Sequence, residues 1–212
     1  MITILCPSRG RPDKFKAFLD TVKETSDGGV EVLLYLDDDD KTLLNYPEDP
    51  ILTIYIDTPR YLGPAYQYLY ERSDGDIVMM GADDIRFRQQ GWADKVVASA
   101  TQDNIFLSSF DDGGRPKKEN GHPFMGRGFV DAIGFLTHKD IAHACVDNWV
   151  VDIARGIDRF YYLDLGIEHV HPKYKKGQWD DTYKRRSVND GPTFESLEPV
   201  KKKIIKRIKG AL

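Results

Sequence analysis

Short apolar runs recur along the first half of this sequence, each stopped by a turn or by acids and separated by stretches of helical spacing. Residues 2–6 are followed by Pro7, Ser8, Arg9 and Gly10; residues 30–36 by Asp37 to Asp40; residues 51–56 by Asp57; residues 77–80 by Gly81 and then Asp83 and Asp84. Runs this short, bounded by turn residues, are strands. Pro12 and Asp13 open a segment with Phe15, Phe18, Leu19 and Val22 at helical spacing, a helix with one apolar face. Over 63–70, Ala65, Tyr66 and Leu69 fall toward one side of another helix, which Ser73, Asp74 and Gly75 end. Strands alternating with helices are joined by right-handed crossovers, so an α/β fold is expected. Its core is a doubly wound, mostly parallel sheet with helices on both faces.

The second half is less regular. Residues 105–109 read as a strand, 111–128 as a long connection rich in Gly, Pro and charge, and 132–137 as another strand. A short helix is expected over 141–144 and a firmer one over 147–155, with Asp147 near its start. Residues 160–163 and 167–170 are short apolar runs, and Trp92, opening a helix after Gly91, is assigned to the core. No internal repeat or low-complexity linker divides the chain. One domain over 1–190 is expected, its halves meeting near residue 104, with a basic tail over 191–212.

Composition excludes several classes. The two cysteines, Cys6 and Cys145, are too few for a disulfide scaffold, and no apolar run approaches the roughly 20 residues of a membrane span. The residues after Met1 lack the basic flank of a signal peptide, so a cytoplasmic location is expected. A net charge of −4 argues against a general nucleic-acid binder until its distribution is considered. Residues 201–212 hold six of the 30 basic residues and no acid, which leaves 24 bases against 34 acids, a net of −10, on the rest.

In open parallel sheets ligands bind beyond the carboxyl ends of the strands. Here three such ends carry carboxylates, whose mutual repulsion calls for a cation or bound donors. Solvated turns also favour Asp, and for Asp37 to Asp40 the two readings stand level. Asp83 and Asp84 directly follow the most apolar strand and sit where Mg²⁺ or Mn²⁺ can meet a diphosphate.

Taken together, residues 2–9 (Ile-Thr-Ile-Leu-Cys-Pro-Ser-Arg), the acidic end of the second run, Gly63-Pro64-Ala65 at a helix start, and residues 75–84 (Gly-Asp-Ile-Val-Met-Met-Gly-Ala-Asp-Asp) resemble the GT-A glycosyltransferases, family 2 in particular. The resemblance runs from residue 2 to about 183. It implies a GT-A fold whose first half, 1–104, binds a nucleotide sugar, UDP-sugars being favoured, and whose second half, 105–190, carries the acceptor and catalytic groups. It places Pro7, Ser8 and Arg9 beside the base and Asp37 or Asp38 on base or ribose. Arg9 has a second role open to it, a structural bridge to Asp37. Gly63 lets a helix start approach the nucleotide, or serves only as a helix-entry turn. The family's metal-binding motif often reads Asp-Ala-Asp-Asp; with Gly81 in its first position, Asp83 is the leading ligand for Mn²⁺ or Mg²⁺ and Asp84 the next.

Inverting sugar transfer needs a base for the acceptor hydroxyl and stabilisation of the departing diphosphate. Asp147 stands where the resembled family carries its acidic catalytic motif and is the first choice for base, with Asp152 in reserve; a helix cap is the other role open to Asp147. On a strand His169 and His171 share one face, and the family often supplies a late histidine to its metal, so His169 and then His171 are candidate ligands. The following segment, with Lys175, Lys176, Gly177, Trp179 and Tyr183, has the character of a lid over the diphosphate, Lys176 meeting phosphate. His122 to Gly128 border the acceptor in this reading, with Arg127 a further phosphate ligand.

In the tail, Val200, Ile204, Ile205, Ile208 and Leu212 are expected on one helical face with the bases opposite. Such a segment can lie on an anionic membrane surface, contact DNA, or pack on the domain. The acceptor is correspondingly open between a glycan, a lipid-linked sugar and, in a phage-type enzyme, a hydroxymethylated DNA base. A nucleotidyltransferase, or a non-catalytic nucleotide- or nucleic-acid-binding module, is the alternative; the former usually has a glycine-rich phosphate loop, and residues 8–12 contain one glycine.

Overall fold

Alternation along β1 (Ile2–Ser8) sends Ile2, Ile4 and Cys6 to one face of a central sheet and Leu5 to the other. The computed structural model that shows this describes residues 1–113, 121–184 and 188–212. After β1 come α1 (Pro12–Thr25), β2 (Val30–Asp37), β3 (Leu52–Asp57), α2 (Leu62–Tyr70) and β4 (Ile77–Met80). These four strands are parallel neighbours in the order β3-β2-β1-β4. Phe15, Phe18, Leu19 and Val22 of α1 pack on the Ile4 face, while Ala65, Tyr66 and Leu69 of α2 pack on the Leu5 face. The expected helices on both faces are thus present. Pro7 does not end β1 as the turn signals suggested: pairing with β4 stops at Leu5, but pairing with β2 continues to Ser8.

The chain continues through β5 (Ile85–Phe87), α3 (Trp92–Ala98), β6 (Leu107–Ser109), β7 (Phe124–Gly126), α4 (Arg127–Ile133), α5 (Val146–Gly156), β8 (Phe160–Tyr162) and β9 (Ile167–His169). β7 joins the sheet beside β4, antiparallel to it and to β6, and β8 closes that edge parallel to β6. Seven strands result, mostly parallel. β5 and β9 form a separate antiparallel ribbon at the end of β4. Trp92 is fully buried between Phe87 and Phe124, as its assignment to the core required.

Two expected elements are replaced. No strand forms over 132–137: α4, whose Phe129, Val130 and Ile133 share one buried helical face, runs to Ile133, Gly134 at φ 100° ends it in the left-handed region, and bends follow over 135–137. No helix forms over 141–144. There the backbone N–H groups of Ala142, His143 and Ala144 donate instead to the carboxylate of Asp190, at 3.3, 2.6 and 2.6 Å.

The chain then passes α6 (Asp181–Lys184), α7 (Gly191–Ser196) and α8 (Glu198–Lys209). Ile204 and Ile208 of α8 are buried in the same cluster as Trp149 and Val150 of α5. Val200 and Leu212, expected on that face, are exposed. The face also contains a cation: Lys201, 5 % exposed, reaches Asp152 at 2.7 Å and Glu198 at 3.0 Å. Lys202, Lys203, Lys206 and Lys209 face solvent. Among the described residues no helix is long and apolar enough to cross a membrane.

Candidate active site

A cavity of about 440 Å³ opens beyond the carboxyl ends of β1, β2 and β4. One wall comes from strand ends, with Ser8, Arg9, Asp37, Asp83 and Asp84; the other comes from the start of α5, with Cys145, Val146, Asp147 and Asn148. Parallel strands ending at one level produce this crevice, and β2 and β4 each carry acids straight into it.

Asp83 and Asp84 point to different partners. Asp83 accepts from Ser8 Oγ at 2.7 Å on one oxygen and from Arg11 Nη1 at 3.2 Å on the other. Burial, opposed by the Arg11 guanidinium and reinforced by the charge of Asp84, pushes its carboxyl up to about 6. Asp84 turns the other way, accepting from Tyr183 Oη at 2.7 Å with His169 Nε2 at 3.3 Å. Burial alone would raise Asp84, but His169, His122 and the Tyr183 hydroxyl together hold it well below the usual carboxylate range. His169 in turn lies 3.3 Å from Asp112 through Nδ1. Burial disfavours its cation, yet the carboxylates on either side raise its pKa to about 9, whereas burial and the neighbouring His169 push His122 down to about 4.

Asp84, His122 and His169 are all buried, and each offers a ligand atom within 4.8 Å of the others. One carboxylate and two imidazoles suit a first-row divalent cation, so the residues present fit the metal that the sequence resemblance implies. Asp83, foreseen as the leading ligand, lies outside this group, and so does His171. β9 ends at His169, so strand alternation does not extend to His171. The Nδ1 of His171 accepts from the Lys173 amide at 3.0 Å, and its ring packs between Tyr174, Trp179 and Tyr183.

Of the expected nucleotide-binding residues, Pro7, Ser8, Arg9 and Asp37 line the cavity. Arg9 bridges Asp37 at 2.7 Å and also pairs with Asp39, the structural alternative foreseen for it. Asp37 accepts as well from the Arg60 amide at 3.1 Å. Asp38, at the tip of β2, is exposed and is not among the lining residues. Gly63 serves the helix entry: a Cβ there would meet the Ile141 carbonyl at 2.3 Å, and its amide donates to Ala142 at 2.8 Å. Its missing side chain admits the segment before α5 rather than a ligand.

On the opposite side Asp147 stands in the first turn of α5 and lines the cavity, whereas the N-cap position belongs to Cys145. The other catalytic and phosphate candidates lie elsewhere. Asp152 pairs with Lys201 of α8. Arg127 donates to Gly75 and Ser73 ahead of β4, at 2.7 to 2.8 Å. Lys176 pairs with Glu168 at 3.0 Å. The segment foreseen as a lid packs beside the strand ends. Asp180 accepts from Arg11 at 2.6 Å and Lys14 at 2.6 Å, Thr182 donates to the Arg9 carbonyl at 2.7 Å, and the Arg11 guanidinium lies 3.8 Å over the Tyr183 ring.

His122 was read only as a border of the acceptor, and Asp112 and Arg11 gave no signal as site residues. Neither His122 nor Asp112 belongs to a ligand motif; the β4–β7 register brings His122 to Asp84, and Asp112 meets the cluster through His169. Arg11 reads as an ordinary base before a helix.

No family model matches the sequence, and no curated protein matches it. Solved structures do. The mannosyltransferase PcManGT from Pyrobaculum calidifontis, in complex with GDP-Man and Mn²⁺, superposes with a TM-score of 0.57 at 12% identity, over 77% of this chain and 54% of its own. S. aureus TarS 1-349 in complex with UDP gives 0.61 at 11% identity, over 77% of this chain and 57% of that one. Glucosyl-3-phosphoglycerate synthase from Mycobacterium tuberculosis, in complex with Mn²⁺, UDP-Glc and phosphoglyceric acid, gives 0.56 at 16% identity, over 81% and 72%. This chain spans little more than half the length of the first two. At these identities the likeness establishes the fold, which is that of the GT-A glycosyltransferases.

Proposed function

We propose that the chain is a metal-assisted, inverting glycosyltransferase that moves a sugar from a nucleotide-sugar donor to an acceptor hydroxyl, with UDP-sugars the favoured donors. The observation that carries this reading is the make-up of one cleft. Strand-end residues and a cluster of metal-ligating side chains form one wall, and a carboxylate at the start of α5 stands on the other. The fold supports it, since similar structures hold UDP, UDP-Glc or GDP-Man, two of them with Mn²⁺.

In this reading Pro7, Ser8 and Asp37 bind the nucleoside, and Arg9 fixes Asp37. The acceptor oxygen attacks the anomeric carbon as the bond from that carbon to the diphosphate breaks; Asp147 takes the hydroxyl proton, and the electron pair leaves with the nucleoside diphosphate. Asp84, His122 and His169 would hold the cation, which would supply positive charge opposite that leaving group. Tyr183 and the segment around it exclude water, which limits hydrolysis of the donor.

The test is a thermal-shift series with UDP, GDP, CMP and dTDP and their sugars, with and without Mn²⁺. A ligand at 100 times its Kd adds about 2.7 kcal/mol, which for a chain of this size raises Tm by roughly 5 to 10 °C. Metal-dependent stabilisation by one nucleotide class is expected, and none by any class overturns the reading. Asp147→Asn is expected to keep that shift and lose transfer by about 10²- to 10⁴-fold; retained turnover removes Asp147 from the role of base.

A further inference from the structure

The metal motif that the sequence resembles has lost its first carboxylate, and the backbone shows why it cannot be restored. A Cβ on Gly81 would lie 2.4 Å from Ile4 Cγ2 and 3.1 Å from the Leu5 carbonyl, so no side chain fits there. Asp83 does not make up the deficit, since one of its oxygens accepts from Ser8 and the other from Arg11. Asp84 is left as the motif's contribution to the cation.

Strand pairing supplies a replacement. β4 and β7 pair antiparallel with Met79 opposite Phe124. The Met80 amide donates to the Pro123 carbonyl at 3.2 Å, so the register continues and sets His122 opposite Gly81. His122 Nδ1 lies 3.1 Å from the Met80 carbonyl, which can only accept. That contact puts the ring proton on Nδ1 and leaves the lone pair on Nε2, the tautomer of a metal ligand. On the other side of the cluster, His169 is held twice by one residue: its amide donates to the Asp112 carbonyl at 2.9 Å, and its Nδ1 faces the Asp112 carboxylate at 3.3 Å. Asp112 is 1% exposed. A carboxylate behind a ligating imidazole fixes its orientation and raises its basicity.

We propose that His122 is the third ligand of the metal centre, standing in for the carboxylate that has no room at Gly81, and that Asp112 is a positioning residue for His169. The proposal rests on the metal-assisted reading of the cleft and adds a ligand set to it. Donors bonded to one ion at about 2.2 Å lie at most about 4.4 Å apart. The three donor atoms, now within 4.8 Å of one another, need to move inward by only a few tenths of an ångström. Two imidazoles and one carboxylate favour Mn²⁺, Co²⁺ or Zn²⁺ over Mg²⁺, which prefers an all-oxygen shell.

Calorimetric titration of the full chain with Mn²⁺ and with Mg²⁺, without nucleotide, tests the ligand set, and the visible absorption of bound Co²⁺ gives a second readout. Wild type is expected to bind Mn²⁺ at least tenfold tighter than Mg²⁺. Asp112→Asn should weaken Mn²⁺ by about 10- to 100-fold, and Asp112→Glu should recover part of the loss. His122→Ala should weaken Mn²⁺ more than Asp112→Asn does, and His122→Gln, which keeps the volume, should shift the Co²⁺ spectrum. Wild-type affinity and spectrum in both His122 variants, or a wild type that binds none of these ions, overturns the proposal. Nucleotide binding measured on the same samples separates the two readings: metal bound as described without any nucleotide binding counts against the transferase, and nucleotide bound with His122 irrelevant to the metal counts against this centre alone.

Discussion

Asp83 and Asp84 are adjacent in sequence and do opposite jobs. Asp84 faces imidazoles and a phenol, while Asp83 is held by Ser8 and by Arg11, itself almost fully buried and stacked on Tyr183. Arg11 also pairs with Asp180, so one guanidinium ties the end of β4 to the segment that carries Asp180. Removing one partner of a buried ion pair costs about 3 to 5 kcal/mol because the other charge stays buried and unpaired. Arg11→Met is therefore expected to lower stability by that amount in urea unfolding, whereas Asp180→Ala, acting on a partly exposed group, should cost about 1 kcal/mol. Equal effects would refute the division. At this scale the sequence showed the acids but not their division of labour. The side chains that decide it, Arg11 for Asp83 and His122 with His169 for Asp84, stand 38 to 85 residues away or, in the case of Arg11, 72, and are united only by sheet register and loop packing.

β1, β2 and β4 could be read from sequence because each is buried on both faces and so forms a near-continuous apolar run, whereas the edge strand β3 is only partly buried. β6 to β9 are three residues each, too short to show a period, and most of the run 132–137, read as a strand, lies in the turn and bends beyond the end of α4. The same reading of periodicity found α8 but misplaced the ends of its apolar stripe. Ile208 is 3% exposed against the α5 cluster. Ile208→Ala should cost about 2 to 5 kcal/mol in equilibrium unfolding, and a loss under 1 kcal/mol would show that α8 lies loosely on the domain. Lys201 adds an ionic tie to the same contact through Asp152, which is why Asp152, a reserve base by position, is engaged away from the cleft.

Across the whole molecule, the second half of the chain completes a cleft that the first half begins. Among the strand-end acids, Asp84 is held by later side chains, Tyr183 and His169, and the start of α5 is held from later in the chain still. The loop that carries the chain into it is pinned by Asp190, whose carboxylate accepts three backbone N–H groups. Asp190→Ala strips those donors of their partner and should cost about 1 to 3 kcal/mol. It should also slow transfer while leaving nucleotide affinity in place, because the donor wall is untouched; an equal loss of nucleotide binding would show that the loop supports both walls. The pin has a consequence in time as well as in space. A chain emerging from the ribosome can bring the strand ends, Asp84, His122 and His169 together once residue 169 is free, yet the loop before Asp147 is not fastened until residue 190 follows. Synthesis order thus makes the wall that carries Asp147 the last part of the cleft to be fastened.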